Sequence, residues 1–435
     1  MLKGFRNVLQ LEDLKKRIGF TILLLAVYRL GSHIPTPGID GQALSAFFNQ
    51  SKGTLLGMFD LFAGGGLKRA TIFALGVMPY INASIIMELL TTVIPHLESL
   101  KKEGAEGQKK IVQYVRYFTI ILAMVQSFGI SFWLESLKSD LGQVVLTPGI
   151  GFKVLTVITL SSGTAFIMWL GEQITDRGIG NGISLIIFIG IIAEMPGALL
   201  KSIELIKTGQ INIIIALVIL VLMVLVIGAV VVLESAHRKV PIQYAKRIVG
   251  RKVYGGQSTH LPLRVDQSGV IALIFASSVI IFPATIAEFT HIGFLVKIAG
   301  WLDYGTVLHT MLFVGLIIFF CYFYTAVTFN PSDIADNIKK SGGYIPGIRP
   351  GKPTADYIDY ILTRITLFGA VGVSALAVLP GFLTQGLNVP FYFGGTTILI
   401  VVGVALDLMR QIESHLLMRN YDGFMKKGKL KARSS

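Results

Sequence analysis

The sequence predicts an all-α polytopic membrane protein with ten spanning helices. Three observations carry that reading. Apolar residues make up 53% of the 435-residue chain and charged residues only 15%, against about 25% charged in an ordinary soluble domain, so the excess apolar surface needs lipid as its solvent. Ten apolar runs stand at 18–34, 71–93, 111–134, 153–172, 183–200, 211–233, 268–288, 306–329, 361–384 and 392–409, each close to the roughly 20 residues that cross a hydrocarbon core. Basic residues alternate between connections. Counting the span ends beside each connection, thirty of the thirty-nine Lys and Arg lie in the two termini and the 2–3, 4–5, 6–7 and 8–9 connections, and eight lie in the five opposite connections. That bias puts both termini in the cytoplasm, and it supports the span count, since a missed or false helix would reverse every later basic loop.

Residues 1–17 mix Leu2, Phe5, Leu9 and Leu14 with Lys3, Arg6, Lys15, Lys16 and Arg17, the pattern of an amphipathic segment lying at the interface. The first span ends in Gly-Ser-His-Ile-Pro rather than in a small-residue cleavage site, so it does not read as a cleaved signal peptide. After it, residues 54–66 are apolar but too short to cross, and Gly64, Gly65 and Gly66 would break a helix. Two readings are open: an interfacial segment, or a half-helix re-entering the protein, which would imply a cavity. Met78-Pro79 is expected to kink span 2, and Pro283 span 7.

Gly178-Ile-Gly-Asn-Gly reads as a tight turn, because it lacks the lysine and the preceding strand of a phosphate loop. Five spans precede residue 205 and five follow it, so the two halves enter the membrane in opposite senses, an arrangement that often places a path at the interface. The 6–7 connection, about 234–267, alternates Val240, Ile242, Tyr244 and then Leu261, Leu263, Val265 about a glycine-containing turn, which predicts a projecting hairpin. In the 8–9 connection, about 330–360, Asn330-Pro331 stops span 8 and a turn-rich, basic stretch follows. The tail after Arg410 is short and basic.

The centres of spans 2 to 10 carry no midplane charge of the kind that ion-coupled carriers use. Arg29, near the outer end of span 1, reads as a snorkelling or helix-pairing residue. Asn82, Gln126, Ser277 and Ser278 are polar and uncharged, and such residues often hold helices together. Seven histidines without paired spacing and the single Cys321 offer no zinc site. No catalytic constellation is visible, so neither enzyme nor cofactor is expected. The basic connections suit a large anionic or acidic partner.

Several stretches together identify the chain as resembling SecY, the large subunit of the bacterial protein-translocation channel: Tyr28-Arg-Leu-Gly-Ser-His-Ile-Pro-Thr-Pro-Gly-Ile, Phe73-Ala-Leu-Gly-Val-Met-Pro-Tyr-Ile, Trp169-Leu-Gly-Glu-Gln-Ile-Thr-Asp-Arg-Gly, Tyr254-Gly-Gly-Gln-Ser-Thr-His-Leu-Pro-Leu, Lys339-Lys-Ser-Gly-Gly-Tyr-Ile-Pro-Gly and Pro390-Phe-Tyr-Phe-Gly-Gly-Thr. The resemblance implies a clamshell of two inverted five-helix halves, 18–204 and 205–417, around an hourglass pore through which unfolded polypeptides pass, with a gate that releases hydrophobic segments into lipid. It implies a pore ring of Val77, Ile81, Ile187, Ile274 and Ile400, Val77 replacing the isoleucine common there. It implies a plug at 54–66 that includes Leu55, Met58, Phe59, Leu61, Phe62, Gly64, Gly65 and Gly66, and a lateral gate holding Asn82, Gln126, Ser277 and Ser278. Arg251, Lys252 and Arg349 would contact the SecA motor or a ribosome, with Lys252 replacing an arginine often seen there. SecE and SecG are the implied small subunits, signal-peptide-bearing polypeptides and lipid the further partners, and the bacterial cytoplasmic membrane the location. An ion-coupled solute carrier and a poreless scaffold or insertase are the competing classes.

Overall fold

The computed structural model describes residues 12–50, 60, 63–139, 142–209, 212–244, 247–249, 252–254, 258–290, 300–301, 306–387 and 395–427. A helix stands at each of the ten expected places. They are α1 (Glu12–Gly31), α3 (Met78–Val93), α5 (Ala105–Ser136), α6 (Ile150–Arg177), α7 (Gly182–Lys207), α8 (Ile213–Ser235), α9 (Val270–Thr290), α10 (Val307–Thr328), α12 (Lys352–Leu387) and α13 (Gly395–Lys427). Among the described residues, seven helices are long and apolar enough to cross a membrane unaided. The other three have identifiable reasons for falling short. The opening turns of α1 carry Glu12, Asp13, Lys15, Lys16 and Arg17. The apolar stretch of α9 runs only over Val270–Pro283. The third, α3, has 16 residues and is bent by 97° from the short α4 (Pro95–Lys102) that follows it.

Span 2 differs from expectation at its start. Residues 71–77 are turns, not the first two turns of a helix, and Pro79 sits in the opening turn of α3 with Val77 as N-cap, so it starts the helix rather than kinking it. The missing N–H of proline is harmless there, because the first N–H groups of a helix have no intrahelical partner. The backbone of 70–72 bonds elsewhere instead: Thr36 N–H donates to Ala70 O at 2.7 Å and Ile72 N–H to Ile34 O at 3.0 Å. Gly31 and Gly163 make room for it, since a Cβ at Gly31 would lie 2.1 Å from the Phe73 ring and one at Gly163 2.0 Å from Ile72 O.

The chain divides into two compact units, Met1–Leu199 with Ile281–Ala299 and Val404–Ser435, and Leu200–Ile280 with Gly300–Gly403. In the first unit α5 packs on α3 and α6, and α1 on α6. The start of α1, the turn after α6 and the far part of α13 share a core of Leu14, Ile179, Leu408 and Ile412. Thr21 Oγ1 accepts from Ile179 N–H at 3.1 Å, and Gly180 adopts φ +88, so the Gly178–Gly182 stretch is the expected tight turn. Between α1 and the 60–70 region lies α2 (Gly41–Gln50); its Phe47 and Phe48 meet Trp133 of α5 edge-on, and after α5 the short β1 (Lys138–Ser139) pairs antiparallel with β2 (Gly142–Gln143).

In the second unit the two long connections fold as one small body. The expected hairpin is present: β3 (His237–Tyr244) pairs antiparallel with β6 (Ser258–Arg264), Val240 opposite Leu261. A two-stranded ribbon, β4 (Arg247–Val249) with β5 (Lys252–Tyr254), lies between them in sequence. Strand β3 also pairs with β7 (Gly343–Tyr344) from the 8–9 connection. Asn330-Pro331 stops α10 as expected, and it also starts a further helix, α11 (Pro331–Lys340), whose N-cap Asn330 accepts from Ser332 N–H. Beneath these elements is a core of Val240, Ile242, Leu263, Ile338, Ile345, Ile358 and Leu362. The last two belong to α12, whose 36 residues extend about 54 Å at 1.5 Å each, well beyond a hydrocarbon core of about 30 Å.

Candidate functional site

Of the five residues expected to form a constriction, all are buried. Val77 is 1% exposed, Ile81 4%, Ile187 1%, Ile274 6% and Ile400 0%. Val77 and Ile81 are one helical turn apart, joined by the Ile81 N–H to Val77 O bond of 3.0 Å, so they share a face of α3. Ile187 lies in the second turn of α7, whose start is held by Asn181 Oδ1 accepting from Ser184 N–H. Ile274 lies in the second turn of α9. There Asp266 Oδ1 accepts from Ser268 N–H, Ser268 Oγ–H and Gly269 N–H, fixing where the helix begins. Ile400 lies in the second turn of α13. Val77, Ile81 and Ile187 belong to the first unit, Ile274 and Ile400 to the second.

The four polar residues expected at a gate are likewise buried: Asn82 7%, Gln126 7%, Ser277 2% and Ser278 0% exposed. Ser277 Oγ donates back to Leu273 O within its own helix, and Gln126 Oε1 and Ser278 Oγ have no partner among the described residues. A helix-pairing contact does exist one residue away, where Ser127 Oγ and Ser161 Oγ approach to 3.3 Å between α5 and α6. Buried oxygens without partners are costly to keep, and Thr156, Thr164 and Thr366 Oγ1 share that condition outside the expected gate.

Arg349 is exposed on the platform formed by the 6–7 and 8–9 connections, and its carbonyl oxygen is held by Thr354 Oγ1–H at 2.9 Å. The backbone of Lys252 opens β5. Arg251 lies outside the described residues, as do Leu55, Met58, Phe59, Leu61 and Phe62.

Gly64, Gly65 and Gly66 are described, and they form a buried turn rather than part of a helix. Gly64 has φ +64 and Gly65 φ +78, backbone conformations that favour glycine. Asp60 ties the turn together: its carbonyl oxygen accepts from Gly65 N–H and its Oδ1 from Lys68 N–H, both at 2.9 Å. Burial pushes the Asp60 carboxyl up to about 6, and the nearby Glu194 carboxylate adds to the rise.

The contacts around this turn were not visible in the sequence. Arg29 Nη1 donates to Gly64 O at 3.3 Å, so its contact is with the turn. Arg69 forms an ion pair with Glu194 of α7 at 2.8 Å; Glu194 lies well inside the expected span 183–200 and corrects the reading of charge-free span centres. These partners are 35 and 125 residues apart in the chain, and no local spacing joins them. Arg116 of α5 and Glu172 of α6 form a second ion pair at 2.7 Å. No group of three or more His, Cys, Asp or Glu among the described residues has the geometry of a metal site.

The comparisons with known proteins converge. The SecY family model matches residues 71–409. The chain is 49% identical over 425 residues to the protein translocase subunit SecY of Escherichia coli strain K12, covering 97% of this chain and 96% of that one. Among solved structures it resembles a SecY studied for the way its plug domain stabilises the closed channel, with a TM-score of 0.69 at 20% identity over 96% of this chain and 95% of that one. It also resembles canine Sec61 in a ribosome–channel complex, with a TM-score of 0.64 at 17% identity over 96% of this chain and 95% of that one. These two structures support the fold, and the match to the Escherichia coli subunit over nearly the whole chain settles the lineage: this multi-span membrane protein belongs to the SecY family.

Proposed function

We propose that this chain is the channel-forming subunit of a bacterial protein translocase. It passes unfolded, signal-peptide-bearing polypeptides across the cytoplasmic membrane and releases hydrophobic segments sideways into lipid. The observation that carries this is the 49% identity to a protein translocase subunit over 97% of the chain. SecE and SecG are its small membrane partners, and the SecA motor and the ribosome its cytoplasmic ones. The chain hydrolyses nothing, and the driving energy comes from the partner.

In this reading Val77, Ile81, Ile187, Ile274 and Ile400 form an apolar ring that blocks ions by dewetting. Asn82, Gln126, Ser277 and Ser278 line the lateral gate, where the unpartnered oxygens of Gln126 and Ser278 are free to meet an incoming signal segment. Residues 54–66 are the plug. Arg251, Lys252 and Arg349 dock the motor or ribosome, both termini lie in the cytoplasm, and the two halves divide near residue 205. Deletion of residues 57–66 tests the reading in planar bilayers: a resting ion conductance absent from the wild type is expected, and a silent, well-inserted variant would count against a channel.

A further inference from the structure

The turn at 63–70 is held far more firmly than a connecting loop needs to be. Ala63, Gly64, Gly65, Gly66, Leu67 and Ala70 are buried. Gly64 lies flush on Gly190 of α7: a Cβ at Gly64 would stand 3.0 Å from the Gly190 Cα, and one at Gly190 3.1 Å from the Gly64 Cα. A Cβ at Gly65 would strike Glu194 Oε1 at 2.5 Å, and one at Gly66 the Phe73 carbonyl oxygen at 2.9 Å. Gly64 and Gly65 are therefore explained by close approach to α7, and Gly66 by close approach to the Phe73 carbonyl, as much as by turn geometry. Ala70 has φ +46, the only non-glycine residue among those described with a left-handed backbone; such strain persists only where surrounding contacts enforce it.

Those contacts form a connected set. Arg69 Nη2 donates to Glu194 Oε1 at 2.8 Å, and Arg69 Nη1 donates to His33 Nε2 at 2.9 Å. Because a guanidinium only donates, His33 Nε2 is an acceptor, and the ring proton sits on Nδ1, which donates to Arg29 O at 2.8 Å. Arg29 in turn donates to Gly64 O. The chain of donors runs from α7 through Arg69 and His33 to the end of α1, and back to the turn. Arg69 and Glu194 are only partly exposed, at 34% and 45% of their side-chain surface.

We infer that residues 63–70 are a fixed seat, and that Arg69 and Glu194 are positioning residues which clamp it against α1 and α7 and so set the channel's resting seal. The inference deepens the channel reading above and depends on it. Losing one partly exposed ion pair is expected to shift a closed–open balance by about fivefold.

The test uses the full chain with its SecE and SecG partners in planar bilayers, with inserted protein quantified beside each recording. Five proteins are compared: wild type, the 57–66 deletion, Glu194→Ala, Arg69→Ala, and the double variant Arg69→Ala/Glu194→Ala. Glu194→Ala is expected to raise resting conductance about fivefold at an unchanged level of inserted protein. Arg69→Ala, which also loses the His33 contact, should leak at least as much, and the double variant should leak no more than Arg69→Ala alone, because the Arg69–Glu194 contact is lost only once. An ion-tight Glu194→Ala channel at normal level overturns the clamp, and so does a double variant that leaks as the product of two independent losses. If Glu194→Ala fails to accumulate, Glu194→Met keeps the bulk while removing the carboxylate acceptor, and a tight Met variant overturns the clamp equally. A deletion that leaks beside a tight Glu194→Ala refutes the clamp alone. A silent deletion refutes the channel reading, and the clamp with it.

Discussion

The same aliphatic residue can pack a helix or seal a pore, and the difference is an outcome rather than an appearance. Val77, Ile81, Ile187, Ile274 and Ile400 are all buried, which a packing role would explain equally well. Changing Ile81, Ile187 and Ile274 together to Ser separates the two roles. As ring members they should wet the constriction and raise resting conductance with the protein still inserted and export still active. As core they should destabilise the bundle by several kcal/mol and lower the inserted amount without a leak. Single-channel recording beside quantified membrane levels decides between them, and a tight, well-inserted triple variant contradicts the ring. Arg349 poses the opposite case, being exposed in a turn-rich stretch where a substitution has little effect on stability. Arg349→Glu should abolish motor-driven translocation while leaving protein level and insertion unchanged. Normal ATP-driven transport by that variant would remove Arg349 from the docking face.

At the scale of elements, local patterns were legible and non-local partners were not. Alternation of Val240 with Ile242 and of Leu261 with Leu263 carried the hairpin, because a two-residue period on a half-buried sheet is a local signature. Residues 71–77 read as helix from their apolar composition, yet the backbone at 70–72 bonds to 34–36, a partnership set across the chain. Pro79 was legible as a break but not as a start, since the distinction depends on what precedes it. Asn330-Pro331 likewise ended one helix and began another. Nothing in either long connection, read alone, showed that they share a core. That shared core makes the platform one mechanical piece seated on α12. Leu263 is fully buried in it, so Leu263→Ala should cost about 2–5 kcal/mol locally. Limited proteolysis should then cut both connections faster while the spans stay protected and inserted. Faster cutting confined to the 6–7 connection would show that the two do not act together.

At the scale of the whole molecule, ten helices and a strong alternation of basic residues were legible because lipid imposes a length on every span and the membrane a sign on every loop. The candidate site was legible only through resemblance. Its residues lie in α3, α5, α7, α9 and α13, and neither their spacing nor their type distinguishes them from packing. The charge pattern makes a direct prediction of orientation: single cysteines at the exposed positions 259 and 341 should label only from the cytoplasmic side, and labelling from outside would contradict the topology. The central claim, that this chain forms a path for polypeptides, is tested most directly by reconstitution. The purified chain with SecE and SecG in proteoliposomes, supplied with SecA, ATP and a signal-peptide-bearing precursor, should render that precursor resistant to external protease. A precursor that stays fully digestible, with the chain correctly inserted and the motor active, would contradict the account.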